Sequence, residues 1–164
     1  MIPEQELNKG LLTMKIIWFG MLMSLAIYLF MGLQLATGLK SSIDKDNFAI
    51  LRMVLYAVAF VTLIATRYIR RLVLYAKGKY RQSAQTPQHP VLQRYVGAMV
   101  VSLALSESIG IYGLVLFLLG KNTIDLYLPI LVSAAAMVMY RPRKDELLSM
   151  AQDMEDSATG GTMP

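Results

Sequence analysis

Apolar residues fall into four long runs separated by short polar segments. Positions 16–39 hold 24 consecutive uncharged residues. As a helix they would measure about 36 Å, enough to cross a hydrocarbon layer of about 30 Å. The second run, 48–68, carries Arg52 and Arg67 near its ends with 14 uncharged residues between them, so both guanidinium groups are expected to snorkel toward opposite interfaces. The third run, 95–120, contains one formally charged residue, Glu107. The fourth, 124–140, has 17 residues and is just long enough to span, with Thr123 as its N-cap and Pro129 tolerated near its first turns.

The pattern predicts an all-α integral membrane protein, an antiparallel bundle of four transmembrane helices with both termini cytoplasmic. Residues 1–15 form a cytoplasmic N-terminal segment of mixed charge, with no signal-like basic start. Residues 40–47 read as a polar turn. Beyond 67, Arg67, Arg70, Arg71, Lys77, Lys79 and Arg81 alternate with apolar residues as a helix leaving along the membrane surface. Pro87 and Pro90 make a loop of 82–94. In the cytoplasmic segment 141–164, Leu147, Leu148, Ala151 and Met154 have helical spacing, and the tail from Ser157 is expected to be disordered. With both termini inside, 12 of the 16 Lys and Arg residues face the cytoplasm, leaving Lys40, Lys45, Arg52 and Lys121 outside. These features predict a multi-pass protein of the cell's inner (plasma) membrane.

Composition narrows the chemistry. Hydrophobic residues make up 55% of the chain and cysteine is absent, which removes disulfides, thiolate metal sites and cysteine nucleophiles. The single histidine, His89, lies in a polar loop, so no metal and no cofactor is expected. The net charge of +5 sits beside the apolar runs, where anionic headgroups of a lipid bilayer explain it better than nucleic acid. The 12 methionines are dispersed and serve as packing residues.

Glu107 is the residue that demands an explanation. An ionised acid at the centre of a bilayer is unfavourable by at least about 2.5 to 3.5 kcal/mol. Spans of equal depth bring Ser24, Thr62 and Ser133 to its level as polar hydrogen-bonding groups. Arg52 lies two to three turns from the middle, at about 5.4 Å per turn, too far for an ion pair. Desolvation without a cation favours the neutral acid. On the same helix Ala98, Ser102, Ser106 and Gly110 recur every four residues as a flat packing edge, and Gly20 and Ser24 offer a smaller one on the first helix.

The run Leu103-Ala-Leu-Ser-Glu107-Ser-Ile-Gly-Ile-Tyr112-Gly-Leu-Val-Leu resembles the ion-carrying helix of rotary ATP synthase subunit c. The resemblance implies that Glu107 takes up and releases an ion, that Ser108 and Tyr112 shape the site, and that the Leu105 carbonyl occupies a coordinating position. Ile109 stands where sodium-binding members of that family have Thr, so the ion implied is a proton. The family's glycine ladder has no counterpart between Ala49 and Thr66, and the carboxylate lies on the third of four spans. Two functions follow: a proton-binding subunit in a homo-oligomer, or in a membrane complex whose partner supplies a cation; alternatively, an accessory or assembly protein in which neutral Glu107 fixes helix packing. No base, metal ligand or oxyanion donor accompanies the acid, so an enzyme is not expected.

Overall fold

The computed structural model describes residues 4–35, 45–75 and 90–159. They form five helices: α1 (Glu4–Leu35), α2 (Lys45–Tyr75), α3 (Pro90–Gly120), α4 (Thr123–Met139) and α5 (Lys144–Thr159). Three of them contain apolar stretches long enough to cross a membrane, Leu7–Leu35, Asp46–Leu74 and Leu92–Gly120. The fourth, Thr123–Met139, reaches about 25 Å at 1.5 Å per residue and is bent by 54° from Lys144–Met150. Of the expected turn at 40–47, positions 45–47 are already helical, and of the expected loop at 82–94, positions 90–94 belong to α3, which starts at Pro90 because proline suits a first helical turn; the rest of both, and the end of the tail, lie outside the described residues.

Helix α3 is the centre of the assembly and packs against each of the other four helices. Its buried positions Leu92, Tyr95, Met99, Ser102, Ser106, Ile109, Gly113 and Leu116 advance by three or four residues, the repeat that keeps one helical face against its neighbours. Close approaches set the pairing. Cβ atoms placed on Gly10 and Gly110 would meet Leu92 and Leu25, and one on Gly32 would meet Leu126 of α4 and touch Leu114, so residue numbers rise together along α1 and α3. They run opposite ways along α3 and α4, where Gly113 lies against Pro129 and Ser106 against Ser133, and along α2 and α3, where Phe48 packs on Gly120.

The outer helices keep apolar side chains exposed, among them Phe19, Ile27 and Phe30 on α1 and Met53, Phe60 and Val61 on α2. Among its described side chains α2 buries only Thr66 and Leu74. Apolar surface on that scale needs a non-aqueous neighbour.

Several local features differ from the expected ones. The first helix begins at Glu4 rather than 16, because Leu7, Leu11 and Met14 are buried and carry the apolar stripe back through the nominally polar segment. Their partners include Leu147 and Met150 of α5 in one core cluster. Leu148, expected on the same stripe, is exposed. α5 continues through Thr159, past the expected start of the disordered tail.

Asn122, not Thr123, caps α4: its backbone is extended and its side-chain oxygen accepts from the Ile124 N–H at 3.2 Å. Lys121 carries the left-handed conformation that closes α3, with φ of 58° and its N–H donating to the Phe117 carbonyl at 2.8 Å. Gly120 beside it is required for the Phe48 contact instead. At the other end of α4 the Met137 carbonyl accepts from the Trp18 indole N–H at 2.8 Å, which satisfies a helix-end acceptor and ties α1 to α4.

Candidate functional site

Glu107 points from α3 toward α1. Its Oε1 lies 2.5 Å from the Ser24 hydroxyl and accepts from the Tyr28 hydroxyl at 2.8 Å. Ser24 and Tyr28 are four residues apart on one face of α1, so a single helix presents both groups. The carboxyl is half-buried, and no cation pairs with it among the described residues.

The Ser24 hydroxyl also lies 2.7 Å from the Met21 carbonyl. A hydroxyl has one proton, so two complete bonding patterns exist. With Glu107 ionised, Ser24 and Tyr28 both donate to the carboxylate. With Glu107 protonated, its O–H donates to Ser24, whose own proton turns to Met21 while Tyr28 still donates. A rotation of one hydroxyl therefore accommodates gain or loss of the proton.

The other groups named from sequence do not converge here. Ser133 lies at the correct depth, but its hydroxyl donates to the Ser106 carbonyl at 2.6 Å, on another face of α3. Thr62 donates to Val58 of its own helix at 2.8 Å. Equal depth does not fix rotation about the helix axis, and only Ser24 has the matching azimuth. Ser108 donates to the Leu105 carbonyl at 2.8 Å, a bond within α3, and Tyr112 is half-buried without bonding to Glu107.

Ala98, Ser102, Ser106 and Gly110 are all buried. Ser102 and Ser106 donate to the carbonyls of Ala98 and Ser102 at 2.7 and 2.8 Å, which satisfies both hydroxyls inside the helix and leaves a smooth edge. Leu25 and Ser133 lie against Gly110 on that edge. Gly20, expected to admit a helix, has open space around its Cβ position, because the packed face of α1 runs through Gly10, Leu25 and Gly32.

A second polar centre lies at the start of α4. Asp125 is fully buried, and its Oδ1 receives Arg52 Nε at 2.9 Å and the Tyr56 hydroxyl at 2.8 Å. Arg52 thus reaches a buried carboxylate while its side chain stays partly exposed, in place of simple snorkelling, and the ion pair offsets the desolvation of Asp125. The position of Asp125 in the first turn of α4 also suits its negative charge. Its Oδ2 is buried and has no hydrogen-bond partner among the described residues.

Sequence reasoning missed Tyr28 and Asp125. Tyr28 was detectable as the residue one turn beyond Ser24. Asp125 was detectable as an acid inside the fourth apolar run, although nothing in the sequence assigns Arg52 to it.

No cluster of three or more His, Cys, Asp or Glu residues suited to a metal ion occurs among the described residues. Comparison with protein-family models, curated proteins and solved structures finds no match. The likeness of 103–116 to the subunit c helix therefore rests on those residues alone.

Proposed function

We propose that this is a small polytopic membrane protein in which the Glu107 carboxyl is clamped between two spanning helices and fixes α1 against α3, as an accessory or assembly subunit of a membrane complex. The observation that carries this reading is the Glu107 carboxyl bonded to two hydroxyls of α1, Ser24 and Tyr28, without a cation among the described residues. Ser24 and Tyr28 are uncharged donors from one helix, so their bonds to the half-buried carboxyl tie α3 to α1 without an ion pair. In this arrangement α1, α2, α3 and α4 cross the bilayer in alternating directions with both termini cytoplasmic, following the distribution of basic residues.

The reading separates two substitutions. Glu107→Gln keeps the shape and an acceptor for Tyr28, so it should cost less than about 1 kcal/mol, whereas Glu107→Leu strands the Tyr28 hydroxyl and leaves Ser24 only its Met21 carbonyl, and should cost about 1 kcal/mol more. Unfolding in mixed detergent measures both. A Gln variant as unstable as the Leu variant would reject the clamp.

Proton exchange is the second reading, favoured by the half-buried state of Glu107 and by the Ser24 hydroxyl that can serve both protonation states. The subunit c-like run at 103–116 supports it by resemblance. Here a partner subunit supplies the cation that displaces the proton. Proton flux into proteoliposomes, with any copurifying partner present, should fall in Glu107→Gln; equal flux in wild type and variant would reject exchange.

A further inference from the structure

Where α2 meets the break between α4 and α5, Arg67, Arg70 and Arg71 line a cavity of about 300 Å³ with Tyr140 and Glu146. Arg70 is already engaged: its Nη2 donates to both Glu146 oxygens at 2.7 Å and its guanidinium lies 5.1 Å from the centre of the Tyr140 ring. Tyr95 secures the same carboxylate at 3.0 Å and accepts from the Arg143 N–H at 3.2 Å. Glu146 therefore neutralises Arg70 and holds α5 in place as one wall. Arg67 and Arg71 are exposed and have no ion pair among the described residues, so the cavity keeps two uncompensated positive charges.

The remaining lining is apolar. Leu74 is buried beneath the arginines and Met139 is exposed at the rim. The exposed apolar face of α2, which includes Val61, Ile64, Tyr68 and Leu72, passes through Arg67 and Arg71, the level at which long cationic side chains reach an interface. Guanidinium groups match phosphate oxygens in charge and geometry, and basic pockets between spanning helices are suited to anionic lipid headgroups.

We propose that this cavity binds the phosphate headgroup of an anionic phospholipid, with Arg67 and Arg71 on the phosphate and the upper acyl chain along Met139. A free phosphate would meet the arginines but leave the apolar rim unused, whereas a phospholipid uses both. The site depends on placement of the chain in a bilayer and not on the role of Glu107, so Glu107→Gln leaves lipid retention unchanged.

The test is native mass spectrometry of the full-length protein in detergent, supplied with phosphatidylglycerol or with phosphatidylcholine of the same acyl chains. Phosphatidylglycerol should be retained in preference. Each exposed arginine contributes about five-fold to that preference, so Arg67→Ala/Arg71→Ala should lower it by roughly 25-fold, and Arg67→Lys/Arg71→Lys, which keeps the charge without the planar fork, should lower it by less. Both side chains are exposed, and circular dichroism checks that the variants fold. Lys9→Ala/Lys15→Ala removes the same charge from α1 and should leave the preference intact. An equal loss in this control pair, or displacement of the lipid by inorganic phosphate at equal concentration, would overturn the site.

Discussion

The hydroxyl of Ser24 lies 2.5 Å from Oε1 of Glu107, across 83 residues of sequence, and joins the first and third helices at the middle of their apolar stretches. Its position between the Met21 carbonyl and the carboxyl lets the Ser24 hydroxyl bond Oε1 with or without the acid's proton. Ser24→Ala should therefore weaken the α1 to α3 contact by about 0.6 kcal/mol, the average for hydrogen bonds between helices in membranes, and Tyr28→Phe by a similar amount. In a double-mutant cycle, Ser24→Ala should cost nothing further once Glu107→Leu is present. Full additivity would mean that the two groups do not interact.

The buried Asp125 behaves differently because its partner is a cation. Arg52→Leu removes the partly exposed guanidinium and leaves the buried Asp125 with the Tyr56 hydroxyl as its remaining partner, a change that should cost about 1 to 3 kcal/mol. Arg52→Leu/Asp125→Leu should recover most of that loss. Detergent unfolding of the two variants measures the difference, and a double variant less stable than the single one would contradict the pairing.

Glycines divide by what faces them. A Cβ on Gly113 would lie 2.7 Å from Pro129 Cβ and 3.0 Å from the Asp125 carbonyl oxygen, so Gly113→Ala must push α4 away and should cost about 1 to 3 kcal/mol. Gly97 has open space at its Cβ position. Gly97→Ala should leave stability unchanged or raise it, since alanine is the better helix former. Equal effects at both sites would contradict the close α3 to α4 approach.

Much of this was legible in the chain because hydrophobic length and the cost of an intramembrane acid act locally. The apolar runs located the helices, the isolated charge marked Glu107, and depth counting selected Ser24. Rotation about each helix axis was not legible. It separates Ser24, which reaches Glu107, from Ser133, which turns to the Ser106 carbonyl, and from Thr62, which bonds within its own helix. The packed face of α1 was misjudged for the same reason: Gly20 and Ser24 share a small-residue spacing, but the glycines in close contact are Gly10 and Gly32. The Arg52 to Asp125 pair was hidden because it joins distant helices, and no periodicity within either reports on the other.

The central claim is that the Glu107 carboxyl bonds to Ser24 and Tyr28 and so joins α1 to α3. Infrared difference spectra of the reconstituted protein, each variant against wild type, test it most directly. The account predicts a Glu107 carboxyl band, identified by its loss in Glu107→Gln, that shifts in Ser24→Ala and in Tyr28→Phe and stays in place in Asp125→Asn. A Glu107 band unmoved by the loss of either hydroxyl would contradict it.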